Sequence, residues 1–223
     1  MYQNIKLFAG IGSEEMHGLL DCISAYKKSY KRGEFLLLAG DKVASIGIVI
    51  SGAVNVVKES ITGDRRIMMT AEENDIFAES AAAAEVLHSP VSVIAKQDCT
   101  ILFVPIDRLL FTCGNSCDYH NRLIHNLVAI LASKNLFLNQ KIDYLSAKNT
   151  REKIAKFLGD FISIKKSTTV TLPYNRNDLA EYLGVDRSVL SRELSKLKKE
   201  GILDFDKNTF TILKPETLAA LYS

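Results

Sequence analysis

Cysteine, long apolar runs and net charge are all scarce in this chain of 223 residues. Four cysteines (Cys22, Cys99, Cys113 and Cys117) are too few for a disulfide scaffold. No stretch approaches the roughly 18 consecutive apolar residues of a membrane span. The opening MYQNIKLFAGIGSEE lacks the apolar core of a secretory signal, so a cytoplasmic location is expected. A net charge of +2 gives by itself no reason to think of nucleic acid. What is present is ordinary for a folded protein: 47% hydrophobic and 24% charged residues argue against disorder. The length suits one large domain or two small ones.

The near-neutral total conceals an asymmetry. Residues 147–223 hold 14 Lys/Arg against 10 Asp/Glu, and residues 1–146 hold 14 against 16. A mildly basic C-terminal third is compatible with a nucleic-acid module, though many ordinary domains carry as much.

The grammar of the chain changes twice. Ser13, followed by Glu14 and Glu15, is expected to cap a helix whose apolar face is Met16, Leu19, Leu20 and Ile23. After Lys31-Arg32-Gly33 come short apolar runs: 35–38, 46–50, 54–57, 67–70, 76–77, 91–95 and 101–104. They are cut by Gly40-Asp41, Ser51-Gly52, Thr62-Gly63-Asp64 and Glu73-Asn74-Asp75. Closely spaced strands with such turns predict an antiparallel sandwich or roll. The alanine-rich stretch 78–85 predicts one short helix within it.

From about Cys117 to Ser146 the pattern is helical. Ile124, Leu131, Leu138 and Leu145 recur every seven residues, and Val128, Asn135 and Ile142 share their register. Leucine at d, β-branched residues at a and a single Asn at a are the preference of a parallel two-stranded coiled coil. A long helix packed on its own domain would also suit the stripe. Asn135 favours the dimer, because a buried Asn is costly unless a two-fold axis brings a partner Asn to meet it.

Thr150 starts a further helix through Ile154, Phe157 and Leu158, and 167–172 reads as loop and strand ended by Pro173. The segment 177–194 has the layout of a helix-turn-helix. Leu179, Ala180 and Leu183 form the first inner face, Gly184 the turn, Val185 the plug and Asp186 the second N-cap. Val189, Leu190, Leu194 and Leu197 bury the second helix, and 202–205 with 210–213 predict a hairpin wing. In a recognition helix the N-terminal residues meet base edges. Arg187 and Arg192 have the fork that pairs with guanine, and Ser188 and Ser191 are short enough for close approach to bases or phosphates. Arg176 and Lys196 are expected near phosphates, giving affinity without sequence reading.

This plan resembles the Crp/Fnr family of bacterial transcription regulators over nearly the whole chain. The most specific part of the resemblance is LAEYLGVDRSVLSRELSKLKKEGIL. It implies an α+β fold with an N-terminal antiparallel β-roll, a double-stranded β-helix similar to cyclic-nucleotide-binding domains. A long dimerisation helix and a C-terminal winged helix-turn-helix follow. The implied domains are 1–116 (effector roll), 117–146 (dimer helix) and 147–223 (DNA-binding). It also implies a homodimer on a palindromic operator, with RNA polymerase as a partner and the positions of Arg187, Ser188, Ser191 and Arg192 as base readers. The family often has Glu where this chain has Ser188, so its usual half-site is not carried over.

Cyclic-AMP binders of the family carry Gly-Glu-Leu and, some ten residues later, an Arg that holds the cyclic phosphate. The matching effector-pocket candidates here are Ala78, Glu79, Ser80, Ser89 and Ser92, with Ser89 in place of the arginine and no Arg between Arg66 and Arg108. A buried phosphate without a guanidinium or helix-end partner is expensive, which argues against cyclic AMP. The family's iron–sulfur sensors use an N-terminal cysteine cluster, whereas this N-terminus has only Cys22. Cys113 and Cys117 form a close pair that would suit a thiol switch or soft-metal site, or two small buried hydrophobes. For haem, His88, His120 and His125 are conceivable ligands that no spacing singles out. These residues therefore name neither a cofactor nor an effector. A cupin-like β-roll metalloenzyme would need clustered histidines, but only His88 falls in the strand region. The Arg187–Arg192 helix argues against a sensor without DNA function. The chain is expected not to be an enzyme.

Overall fold

The structure is a computed structural model that describes residues 2–59, 65–111 and 118–222. The Thr62-Gly63-Asp64 turn and the Cys113/Cys117 pair lie outside these residues. Packing divides the chain into two units, 1–133 and 134–223.

The first unit opens with a single helical turn, Lys6–Phe8, and α1 (Ser13–Cys22). Eight strands follow: β1 (Tyr26–Tyr30), β2 (Phe35–Leu37), β3 (Ser45–Ser51), β4 (Val54–Glu59), β5 (Arg65–Ala71), β6 (Ile76–Phe77), β7 (Ser92–Ala95) and β8 (Cys99–Pro105). Helix α2 (Glu79–Ala83) sits between β6 and β7, and α3 (Ile106–Leu110) follows β8. The strands form two four-stranded sheets, ordered β1-β8-β3-β6 and β2-β7-β4-β5, with every pairing antiparallel.

The continuous apolar runs of β3 and β8 have a physical cause: both faces of their sheet are covered. Val49, Cys99 and Ile101 face one core together with Val54 and Val93 of the other sheet. Ile46, Ile48, Leu102 and Val104 face a second core with Met16 and Leu19 of α1 and with Leu123 and Leu127. Gly47 is required here, because a Cβ at that position would run into the Phe77 ring.

Strand β1, Tyr-Lys-Lys-Ser-Tyr, escapes sequence reading because four of its five residues are exposed. Its pairing with β8, from Tyr26 opposite Phe103 to Tyr30 opposite Cys99, holds it in place. The N-cap of α1 is Gly12 and not Ser13, which is the first helical residue.

Helix α4 (Asp118–Ser146) runs across the division between the units. The second unit continues with α5 (Thr150–Lys165), β9 (Thr169–Thr171), α6 (Arg176–Leu183), α7 (Arg187–Lys199), β10 (Leu203–Asp206), β11 (Thr209–Ile212) and α8 (Pro215–Ala219). The last three strands form an antiparallel sheet, β10-β11-β9, which is the wing. Asn149 starts α5: its side chain accepts from Glu152 N at 2.9 Å while the Glu152 carboxylate accepts from Lys148 N at 3.0 Å. Tyr144, near the end of α4, is buried in the same core as Phe157, Leu158, Leu183, Leu190 and Leu194. Its hydroxyl donates to Asp160 at 2.7 Å, and its ring meets that of Phe157 edge-on at 5.4 Å. Burial, followed by the neighbouring Asp160 carboxylate, raises the pKa of this phenol far above its ordinary value.

Candidate nucleic-acid interface and effector region

The turn between α6 and α7 is built from local chemistry. Asn175 caps α6 by accepting from Asn177 N at 2.8 Å and Asp178 N at 3.0 Å. Gly184 closes the helix at φ +60°, a left-handed backbone that a side chain would disfavour. A Cβ on Gly184 would also stand 2.8 Å from Leu145 Cδ2. Asp186 holds the N-cap position of α7 with extended backbone, but its side chain makes no capping hydrogen bond, contrary to the sequence expectation.

Helix α7 buries Leu190, Leu194 and Leu197 and keeps Val189 half-covered. Arg187, Ser188, Ser191 and Arg192 share one face, since residues four apart are neighbours on a helix. Ser191 is half-buried and the other three are exposed. Among the described residues, the side chains of Arg187, Ser188 and Arg192 have no hydrogen bond or ion pair within the chain. Lys196 is exposed but pairs with Glu193 at 2.6 Å.

Arg176, expected near a phosphate, packs against the wing. It is half-buried, its guanidinium carbon lies 4.9 Å from the Phe205 ring centre and 5.2 Å from that of Phe210, and Nη2 donates to the Lys207 carbonyl at 3.0 Å. Burial lowers its pKa. No sequence signal pairs Arg176 with a hairpin some 30 residues away.

In the roll, Ala78 precedes α2 with φ +62°, an uncommon backbone for alanine. Glu79 is buried and accepts from the Ser80 hydroxyl at 3.1 Å. Ser89 and Ser92 are buried as well. The Ser89 hydroxyl donates to Val91 O at 2.7 Å, and the Ser92 hydroxyl accepts from Ala39 N at 2.9 Å. Gly40 N to Ser89 O and Ser89 N to Asp41 O, each at 2.8 Å, join the same two segments. His88 Nδ1 donates to Gly40 O at 3.0 Å, and buried His120 donates from Nε2 to Arg108 O at 3.0 Å, with Nδ1 4.0 Å from Cys22 Sγ. His125 is exposed.

The heptad stripe of α4 is uneven. Ile124 and Leu131 are half-covered by the core of the first unit. Val128, Leu138 and Ile142 are 58%, 56% and 58% exposed, and Leu145 also lies open. The Asn135 side-chain Oδ1 accepts from Asn139 Nδ2 at 2.8 Å within the same helix. Among the described residues no group of three His, Cys, Asp or Glu side chains suits a metal ion, and no helix is long and apolar enough to cross a membrane.

Two family models match the chain. Residues 27–115 match the cyclic nucleotide-binding domain, and residues 122–221 match the Crp-like helix-turn-helix domain. The chain belongs to the Crp/Fnr family. As a Crp/Fnr protein it is a transcription regulator with a DNA-binding helix-turn-helix and not an enzyme, so the cupin-like reading falls. It is 25% identical over 207 residues to the transcriptional activator protein anr of Pseudomonas aeruginosa, covering 91% of this chain and 82% of that one. It is 23% identical over 206 residues to the cyclic AMP receptor protein of Thermus thermophilus, covering 92% and 91%. The crystal structure of the catabolite activator protein from Thermus thermophilus shares the fold, with a TM-score of 0.55 at 22% identity over 97% of each chain.

Proposed function

We propose that this Crp/Fnr regulator acts in the cytoplasm as a homodimer that reads a palindromic operator with one α7 per copy. The observation that carries this reading is the outer face of α7. Arg187, Ser188 and Arg192 stand exposed without partners among the described residues, above a fully buried leucine face. Arg187 and Arg192 supply bidentate donors for guanine, Ser188 and Ser191 permit close approach, and Lys196 adds charge beside a phosphate. The exposed Val128, Leu138 and Ile142 supply the seam through which two copies pair, with Asn135 setting register. RNA polymerase is the further partner this architecture serves.

The roll in this proposal answers a small effector other than cyclic AMP. Its candidate phosphate position is Ser89, whose hydroxyl is already given to Val91 O. No guanidinium stands nearby in sequence to neutralise a buried phosphate. Effector binding would shift the balance between two arrangements of the paired helices.

Footprinting on the regulator's own upstream region and on neighbouring promoters tests the DNA reading. The expected result is a two-fold-symmetric protected site with half-sites about one helical turn apart. Absence of any protected site, with and without cell extract, would overturn it. Sedimentation at micromolar concentration is expected to show a dimer, and a monomer removes the seam. Calorimetric titration with cyclic AMP is expected to show no binding.

A further inference from the structure

The wing is gripped from both helices of the helix-turn-helix. Phe205 and Phe210 are directly opposed across β10 and β11, with ring centres 5.8 Å apart. Lys198 of α7 places its ammonium 5.2 Å from the Phe205 ring centre and pairs with Asp204. From α6, Arg176 lies within cation–π distance of both rings and bonds the Lys207 carbonyl. That carbonyl belongs to the turn of the wing, where Lys207 has φ +51°, a left-handed backbone uncommon outside glycine. The next residue, Asn208, is tied to Leu172 twice, through its side-chain nitrogen at 2.8 Å and its backbone carbonyl at 2.9 Å. The tip of the wing is thus held at an unfavourable backbone angle by three hydrogen bonds, and Arg176 supplies the one that comes from α6.

We propose that Arg176 is a positioning residue for DNA binding, holding the wing in register with the recognition helix through the Phe205–Phe210 ring pair and the Lys207 carbonyl, and not a phosphate contact. The chemistry calls for arginine specifically. A planar guanidinium can lie against rings while its edge N–H meets a carbonyl, whereas an ammonium keeps the charge but cannot do both in that plane.

The inference rests on DNA reading by α7, so its test has one arm that needs no DNA. The first arm is amide exchange in the free full chain for wild type, Arg176→Gln, Arg176→Lys and Phe205→Leu. All three variants are expected to speed exchange across residues 203–212 by about tenfold or more while the inner turns of α7 keep their protection. The second arm is affinity for sheared mixed-sequence duplex DNA as a function of salt. All three are expected to bind more weakly with the wild-type slope of log affinity against log salt.

Three results overturn the proposal. One is unchanged wing exchange in Arg176→Gln. Another is a salt slope reduced by about 0.9, the signature of one lost phosphate contact. The last is full rescue of affinity by Arg176→Lys. Phe205→Leu leaves Arg176 in place and so decides the matter even if Arg176→Gln does not fold. A wild-type chain that binds no DNA would refute the DNA reading alone, and the exchange arm would still decide the grip on the wing.

Discussion

In the roll, Ser89 and Ser92 turn their hydroxyls onto the backbone of the same roll, whereas on α7 the side chains of Arg187, Ser188 and Arg192 have no partner among the described residues. Both sets came out of the sequence as candidate contacts for something outside the protein. They differ in what water does to them. A buried hydroxyl must be paired within the fold, so its first duty is structural. An exposed guanidinium is satisfied by water and can exchange that water for a base or phosphate at little cost to folding. The direction of a polar group therefore separates scaffold from interface even where both sit in family motifs.

Four substitutions sharpen or break this contrast. The largest effect is expected from Leu197→Ala under the recognition helix, with a loss of about 3 kcal/mol from a fully buried leucine. Amide exchange should rise through residues 134–222 and leave the strands of the roll protected, and equal loosening of both units would break the division. Arg192→Ala is expected to cost about 2 kcal/mol of discrimination between operator and altered-base duplexes, with an unchanged Tm. Ser92→Ala should do the opposite, lowering stability by about 1 kcal/mol in denaturant titration because Ala39 N loses its acceptor, and leaving the affinity for DNA untouched. If Ser92→Ala altered effector response without altering stability, the roll's polar groups would belong with those of α7. The smallest change, and a gain, is expected from Ala78→Gly. Relief of the left-handed alanine, partly offset by the greater unfolded-chain freedom of glycine, should stabilise the roll by about 0.5 kcal/mol in the same titration.

The sequence was most readable where structure is local. The helix-turn-helix is set by neighbours in the chain: Gly184 turns, and Leu190, Leu194 and Leu197 repeat at helical spacing. The double-sided burial of β3 and β8 also left its mark as unbroken apolar runs. Strand β1 was opaque because its residues are polar and its conformation comes from β8. Short α3 and α8 were missed for a related reason, since five residues give too little periodicity to recognise. Ala78 shows the limit most plainly, because an alanine run foretells a helix but not a left-handed residue at its start. The partners of Arg176 on the wing depend on packing between elements and have no linear signature.

The buried Tyr144 has a mechanical consequence. With its ring against Phe157 and its hydroxyl on Asp160, it splints the end of α4 to α5 across the link at 147–149. Its core also contains Leu190 and Leu194 of α7. The last turns of α4 and the recognition helix are therefore parts of one stiff lever. Ile142 and Arg192 thus lie on elements joined by packed rings and leucines, and Tyr144→Ala is expected to loosen that joint more than a substitution in the link at 147–149.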